Sequence, residues 1–260
     1  MGKGWAKGLT AATDARVARM AEARRGRLRG PYRSRGAGRT QWIRAWTPDL
    51  AYAVGLIATD GNLSPDGRHV SLASIDRDLL ETFLRCIGRR AKVGRVAGGY
   101  GSRGLRVQVG DVALYRWLQA IGLMPCKSLS LGAVAVPDEV FPHFVRGLLD
   151  GDGSILDITY NGTGKARGRR YRTLLVRFIS ASESHVTWLA ARMGSLFAVN
   201  GALGHEGIMH TLTFGKRSSL RLLPLLYADE SSPCLIRKRQ IWERFTRENG
   251  ETLALTDKME

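Results

Sequence analysis

The chain has 260 residues, enough to bury a sizeable core as one large domain or as two of ordinary size. Its 40 Lys and Arg residues against 23 Asp and Glu residues give a net charge of +17, which predicts a polyanionic partner, nucleic acid ahead of an anionic membrane surface. No apolar run approaches about 18 residues and no signal peptide is recognisable, which argues against a membrane-spanning or secreted protein. Three widely spaced cysteines predict reduced thiols and an intracellular location, in the cytoplasm or nucleoid or in a eukaryotic organelle.

Residues 1–46 hold more than half of the excess charge. Twelve Lys or Arg residues stand against Asp14 and Glu22, a net charge of +10. Asp14 predicts the start of a short helix over 15–26, after which Gly30 and Pro31 break the pattern. We interpret the segment as a basic N-terminal arm, either disordered without a specific site or an accessory DNA-binding segment.

From residue 47 the apolar pattern predicts elements in an order that occurs twice. The first copy, 47–132, predicts helices over 48–60, 76–88 and 111–122, with strands near 68–74, 92–97 and 104–110. The second copy, 133–250, predicts helices over 138–151, 182–197, 216–227 and 233–248, with strands near 154–160, 171–179, 201–205 and 208–214. Residues 251–260 are predicted to form a C-terminal tail.

Residue matches between the two copies support an internal repeat. The segment SIDRDLLETFLRCIG (74–88) aligns with SASESHVTWLAARMG (180–194), VQVGD with LTFGK, and PCKS with PCLIRK. The predicted fold class is therefore α+β, a pseudo-twofold domain built from two similar halves.

Each half opens with an apolar helix that ends on Asp-Gly. Small residues recur along one face of each helix at helical spacing: Ala51, Gly55 and Ala58 in the first, and Gly147 and Gly151 in the second. Such faces predict that the two helices pack almost backbone to backbone. That packing places Asp60 and Asp152 side by side at the negative ends of the two helix dipoles.

Two adjacent carboxylates repel each other, so one is expected to bind a proton or a cation. Mg²⁺, or Mn²⁺, suits the pair, because hard divalent cations combine carboxylates with waters and phosphate oxygens and promote phosphodiester hydrolysis. The alternative is that each Asp-Gly only ends its helix, but two copies at matched places favour the metal site. Gly61 and Gly153 are predicted to be left-handed helix stops. Asp150 lies about 200° around the helix from Asp152 at 100° per residue, and we predict that it is structural.

The segments AVGLIATDG (53–61) and VRGLLDGDG (145–153) resemble the nine-residue motif of the LAGLIDADG homing endonucleases. The flanking repeat resembles the two-motif, single-chain members of that family over residues 47–248. The resemblance implies two αββαββα halves with the motif helices at a central interface and two saddle-shaped antiparallel sheets that straddle DNA. It also implies a monomer with internal pseudo-twofold symmetry and a long, partly asymmetric double-stranded DNA target.

By position, the resemblance makes Asp60 and Asp152 the metal-binding carboxylates, each of which cuts one strand. It also makes the backbone carbonyls of Thr59 and Gly151 further metal ligands. The first motif departs from the family's pattern at Ala58 and Thr59 but keeps its last acid.

A basic catalytic residue is implied as well. Lys216, just after the last predicted strand of the second half, resembles the active-site lysine of the family. The corresponding first-half position is Asp111, which is acidic, so the basic catalytic residue of that half is not identified by position. Lys127 and Lys238 are the alternative candidates for it.

Two strands alternate apolar and polar residues and are predicted to bind DNA. In GLRVQVG (104–110) and RTLLVRF (172–178), one face is apolar and the other carries Arg, Gln or Thr. A two-stranded ribbon fits the major groove, where Arg recognises guanine and Gln adenine, while the alternative is a solvated sheet face. With the surrounding basic loops, the predicted DNA-binding residues are Arg68, Arg95, Arg103, Arg106, Gln108, Lys165, Arg167, Arg169, Arg170, Arg172, Thr173 and Arg177.

The function predicted from these features is a site-specific double-strand DNA endonuclease of the homing type that leaves 3′ overhangs. The alternative is a non-cleaving nucleic-acid binder on the same scaffold, either an RNA maturase for intron splicing or a DNA-binding regulator. The presence of both motif acids argues against a non-cleaving protein. No helix-turn-helix pattern follows residue 248 to favour a regulator. A basic protein that only coats nucleic acid leaves the paired motifs unexplained.

Overall fold

The computed structural model describes residues 10, 12–24, 45–97, 103–227 and 229–248. Contacts group the chain into two compact units, Met1–Trp42 and Ile43–Glu260. In the first unit, α1 (Ala15–Arg24) begins where Asp14 Oδ1 accepts hydrogen bonds from the N–H groups of Arg16 and Val17, at 2.8 and 3.3 Å. The predicted helix over 15–26 is thus present over Ala15–Arg24, and residues 25–44 of the basic arm lie outside the described residues.

The second unit repeats one arrangement of helices and strands. The first copy contains α2 (Pro48–Thr59), β1 (Gly61–Leu63), β2 (His69–Ser74), α3 (Arg77–Cys86), β3 (Gly94–Ala97), β4 (Arg103–Gly110) and α4 (Val112–Ala120). The second contains α5 (Phe141–Asp150), β5 (Ser154–Asn161), β6 (Arg170–Ser180), α6 (Glu183–Phe197), β7 (Ala202–Glu206), β8 (Met209–Phe214) and α7 (Lys216–Tyr227), and α8 (Ile236–Glu248) follows. In the described ranges, no helix is both long and apolar enough to cross a bilayer.

Each copy folds into a four-stranded antiparallel sheet with the same strand order, β1-β2-β4-β3 in sheet 1 and β5-β6-β8-β7 in sheet 2. The predicted α+β class and the αββαββα halves are confirmed. Strand β1 was not predicted, because three residues are too few to show an alternating pattern. The hairpins also differ in length, since β1 pairs with β2 over three residues and β5 pairs with β6 over eight.

The two motif helices, α2 and α5, lie against each other at the centre of the unit. Every residue of α2 from Leu50 to Ala58 is buried, as expected of a helix that is apolar on all sides. A Cβ on Gly55 would lie 2.3 Å from the Phe144 carbonyl oxygen, and one on Gly147 would lie 2.2 Å from the Tyr52 carbonyl oxygen. The helices therefore pack backbone to backbone, which is possible only because these two residues have no side chain.

Gly61 and Gly153, which follow the motif acids, do not take the predicted left-handed conformation. A Cβ on Gly61 would lie 2.5 Å from the Ile57 Cα, and one on Gly153 would lie 2.7 Å from the Leu149 Cα. The chain turns back closely against the last turn of its own helix at both places. The prediction of a left-handed stop was wrong, because these glycines supply space and not a positive φ.

Candidate catalytic site and nucleic-acid interface

Asp60 and Asp152 lie where the two motif helices end. Asp60 is the C-terminal cap of α2, and its N–H donates to the Leu56 carbonyl at 3.0 Å. A Cβ on Gly151, the residue before Asp152, would lie 3.2 Å from Asp60 Oδ2 and 2.0 Å from Thr59 Oγ1. The ends of α2 and α5 are therefore in direct contact, and no larger side chain fits at Gly151.

The two carboxylates interact strongly. Burial, together with the neighbouring Asp152, raises the pKa of Asp60 to about 7, against the opposing charges of Lys238 and Lys127. A cation bound by the pair would relieve this repulsion. No group of three or more His, Cys, Asp or Glu side chains that could hold a metal occurs in the described part of the chain. Two carboxylates still fit Mg²⁺ or Mn²⁺, which fill their remaining positions with waters and phosphate oxygens.

A buried lysine contacts the backbone of each motif. Lys127 Nζ donates to the carbonyl oxygens of Thr59 at 3.1 Å and Gly61 at 2.6 Å. Lys238 Nζ lies 2.7 to 2.9 Å from four carbonyl oxygens, those of Leu149, Asp150, Gly151 and Gly153. Burial lowers the pKa of both lysines, that of Lys238 to about 8. Lys127 and Lys238, the alternative candidates for the basic catalytic residue, therefore occupy matching places beneath the two motifs.

These contacts also involve the two carbonyls that the resemblance makes metal ligands. The Thr59 carbonyl accepts from Lys127, and the Gly151 carbonyl accepts from Lys238. A carbonyl oxygen has two lone pairs, so a second partner is still possible. The nearby ammonium groups nevertheless make both oxygens weaker ligands for a cation.

Lys216 and Asp111 take matching places at the starts of helices. Lys216 is the first residue of α7, and its Nζ lies 5.7 Å from the centroid of the Phe245 ring. Asp111 caps α4, since its Oδ1 accepts from the N–H groups of Ala113 and Leu114 at 2.9 and 3.0 Å. The alignment of these two positions is therefore correct in the fold, although the lysines that contact the motif backbones are Lys127 and Lys238.

Asp150 lies in the interior, with 1% of its surface exposed. Its carboxylate accepts hydrogen bonds from Tyr52 Oη at 2.9 Å, Tyr227 Oη at 2.5 Å and the Leu235 N–H at 2.7 Å. Burial raises its pKa to about 6, although these three hydrogen bonds oppose the shift. Asp150 thus connects α5 with α2, with α7 and with the segment before α8, while Ala58 takes its place in the first motif.

The outer face of sheet 1, the face opposite its buried valines, carries two of the predicted DNA-binding residues. Arg106 and Gln108 are exposed, whereas Val107 and Val109 are buried. The strand register places Asn62 on this face beside Gln108, across β2. Asn62 was missed in the sequence because β1 was missed.

Arg95 does not share the outer face of sheet 1. It pairs with Leu105, which lies on the side that faces the helices, although Arg95 itself is exposed. Arg68 lies before β2, where its N–H donates to Asp66 Oδ1 at 3.1 Å. The side chain of Arg103 lies outside the described residues.

The predicted DNA-binding residues of sheet 2 lie on both of its faces. Thr173 and Arg177 lie on the outer face, and Arg177 Nη1 is 2.5 Å from Glu206 Oε1. Arg172 lies on the opposite face, 2.5 Å from Asp157 and 2.7 Å from Glu248, and its guanidinium lies over the Phe245 ring. Of the predicted DNA-binding residues near the β5–β6 connection, Arg167, Arg169 and Arg170 are exposed, and the side chain of Lys165 is not among those described.

No protein-family model matches the chain, and no curated protein matches it. Solved structures do. The LAGLIDADG meganuclease I-AabMI bound to uncleaved DNA is 15% identical over 81% of this chain and 93% of its own, with a TM-score of 0.54. The I-LtrWI LAGLIDADG homing endonuclease bound to target DNA is 11% identical over 80% and 91%, with a TM-score of 0.54. Full-length DUF199/WhiA from Thermatoga maritima is 11% identical over 83% and 68%, with a TM-score of 0.50. The chain therefore has the LAGLIDADG homing endonuclease fold.

Proposed function

We propose that this chain is a divalent-metal-dependent endonuclease that binds double-stranded DNA across its two sheets and hydrolyses one phosphodiester on each strand. The observation that carries the proposal is the contact between the two motif ends, where Asp60 and Asp152 share one site and repel each other. A carboxylate pair at the negative ends of two helices is unfavourable unless one acid binds a proton or the pair binds a cation. A site of this kind suits a phosphodiester, which brings its own oxygens to the metal.

The side chains have distinct roles in this proposal. Asp60 and Asp152 would hold Mg²⁺ or Mn²⁺, which when bound promotes attack by water and stabilises the departing oxygen. Lys127 and Lys238 fix the backbone turns that carry the two acids and supply positive charge beside the scissile phosphates. The carbonyls of Thr59 and Gly151, already engaged by these lysines, are secondary ligands at most.

The DNA-binding part of the proposal rests on charge and on the fold. The net charge of +17 favours a polyanion, and Arg106 and Gln108 project from an exposed sheet face. I-AabMI and I-LtrWI, which have the same fold, are each bound to DNA. Because one chain contains both halves and both acids, we propose that it acts as a monomer on a long, partly asymmetric site.

Cleavage of a supercoiled plasmid tests the proposal. A binding site is first selected from random duplex DNA with the full chain and then cloned, and the plasmid is incubated with Mg²⁺ or Mn²⁺. The wild type should give linear DNA with 3′ overhangs, whereas Asp60→Asn and Asp152→Asn should each nick a different strand or stop cleavage. Glu139→Gln, which changes an exposed carboxylate before α5, should cleave like the wild type. Full double-strand cutting by either motif variant would overturn the assignment.

The second candidate is a non-cleaving nucleic-acid binder, an RNA maturase or a DNA-binding regulator. The lysine contacts to the Thr59 and Gly151 carbonyls favour it, since they weaken two of the expected metal ligands. The same fold also occurs in DUF199/WhiA, so the fold alone does not imply cleavage. Specific binding without cleavage in either metal would support this candidate, and a comparison of intron RNA with duplex DNA would separate its two forms.

A further inference from the structure

The outer faces of the two sheets differ in chemistry. Sheet 1 presents Arg106, Gln108 and Asn62, which are exposed hydrogen-bonding side chains. None of the large apolar side chains that are exposed in the described residues belongs to β1, β2, β3 or β4. Three of them belong to the β5–β6 hairpin of sheet 2, and all three lie on its outer face.

These residues form a continuous apolar strip along the hairpin, which we define as three cross-strand pairs. The pairs are Leu156 with Leu175, Ile158 with Thr173, and Tyr160 with Tyr171. Ile158 is 38% exposed, Tyr160 52% and Tyr171 37%. The two tyrosine rings stack with their centroids 5.6 Å apart and their planes 22° apart. The strip is therefore an ordered surface that water reaches.

The charged groups around the strip favour a polyanionic partner. Arg167 and Arg169 are exposed in the connection beyond the tyrosine pair. The arginine on the outer face itself, Arg177, is engaged by Glu206. Cations at the end of an apolar strip suit a ligand whose phosphates flank an apolar surface, and they do not suit a wholly apolar partner.

The dimensions of the strip suit the major groove. Three pairs two residues apart cover about 13 Å at about 3.3 Å per residue, which equals about four base pairs at about 3.4 Å each. The apolar group in that groove is the thymine C5-methyl, and side chains that contact it include the methyl group of threonine. Thr173 lies in the middle of the strip.

We infer that the apolar strip recognises thymine methyl groups in the half-site beneath sheet 2, while Arg106 and Gln108 read the other half-site through hydrogen bonds. The inference rests on the proposed binding of double-stranded DNA and adds how each half of the target is read. It makes the target asymmetric in chemistry as well as in sequence. Ile158, Thr173 and Leu175 are then specificity-determining residues.

The test replaces thymine with deoxyuridine, which pairs with adenine in the same way but lacks the methyl group. A site selected from random duplex DNA is synthesised with uracil in one half, in the other half, or in both. Affinities of the full chain are measured by fluorescence anisotropy at one salt concentration. We expect a loss of about fourfold for each contacted methyl group in one half-site and no change in the other.

Two variants show which half the strip contacts. Ile158→Asn should reduce the difference in affinity between the thymine and uracil versions of the sensitive half by about fourfold, which is the contribution of one methyl contact. Leu225→Asn, which alters a similarly exposed apolar residue on α7, should keep the wild-type difference. Circular dichroism and thermal melting establish that both variants are folded.

The outcomes separate the inference from the proposed function. If the chain selects no duplex sequence, the proposed function and the inference both fail. If it selects a site but tolerates uracil equally in both halves, or if Ile158→Asn keeps the difference, only the inference fails. A concentration-dependent dimer that Ile158→Asn abolishes, with uracil tolerated, would assign the strip to contact with a second copy and would also overturn the inference.

Discussion

The two LAGLIDADG-like motifs end in the same acid but are supported in different ways. In the first, Lys127 contacts two backbone carbonyls, and Ala58 packs in an apolar interface. In the second, Lys238 contacts four carbonyls, and Asp150 is hydrogen bonded to two tyrosines and a backbone N–H. The polar support of the second motif thus extends to α7 and α8, and that of the first is provided by Lys127.

This difference shows where the internal symmetry is strict. The acids, the glycines at the helix crossing and the buried lysines occur in both halves, because both halves meet at one site. The residues that pack behind the motifs, such as Ala58 and Asp150, differ between the halves, since each of them supports only its own motif. Substitutions at the crossing glycines should therefore have equal effects in the two halves, whereas substitutions at residues whose contacts differ between the halves should have unequal effects.

The largest effect should come from the helix crossing, where the two halves are equivalent. Gly55→Ala and Gly147→Ala each place a methyl group about 2.2 to 2.3 Å from a backbone oxygen that cannot move independently. We expect each to lower the free energy of unfolding by about 4 kcal/mol, measured by urea denaturation. Gly194→Ala in α6 has ordinary contact distances and should be neutral or slightly stabilising. A loss at only one of the two motif glycines would contradict their equivalence.

The buried lysines should separate the two halves. Lys238→Met removes the donor for four carbonyl oxygens, whereas Lys127→Met removes it for two. Since a buried acceptor without a partner is costly, we expect losses of about 3 and about 1.5 kcal/mol in the free energy of unfolding. Lys92→Met, at an exposed position, should change it by less than about 0.5 kcal/mol. Equal losses at Lys127 and Lys238 would show that the two additional carbonyl contacts of Lys238 do not contribute to the free energy of unfolding.

The carboxylate that the first motif lacks provides a third comparison. Asp150→Asn keeps the shape of the side chain but turns an N–H₂ group toward at least one of its three donors, Tyr52, Tyr227 or the Leu235 N–H. We expect a loss of about 2 kcal/mol in the free energy of unfolding. Plasmid cleavage by the folded variant should continue, because Asp150 points into the interior and not toward the paired acids. Loss of cleavage at full stability would instead place Asp150 in the catalytic site.

The sequence predicted the repeat, the motif helices and most strand positions, because these depend on local periodicity. It could not predict β1, which is too short, or the partners of Asp150, since Tyr52 and Tyr227 lie 98 and 77 residues away. The face of Arg95 was also out of reach, since a shift of one residue in strand register exchanges the two faces of a sheet. The face of Arg172 could have been predicted, because Arg172 alternates in step with the apolar Leu174 and Val176. The matched PCKS and PCLIRK segments were the signal that located the buried lysines.

Arg106 and Arg172 provide the finest comparison, since both were predicted to bind DNA and the register places them on different faces. Arg106 is exposed on the outer face, so Arg106→Ala should weaken binding to a selected duplex about tenfold with little change in stability. Arg172 is paired with Asp157 and Glu248, so Arg172→Ala should lower the free energy of unfolding slightly and leave DNA affinity nearly unchanged. Anisotropy titrations and urea denaturation of both variants check the two expectations. If Arg172→Ala instead weakened binding as strongly as Arg106→Ala, DNA would have to contact the helix-facing side of the β5–β6 hairpin, and the outer face alone would not define the interface.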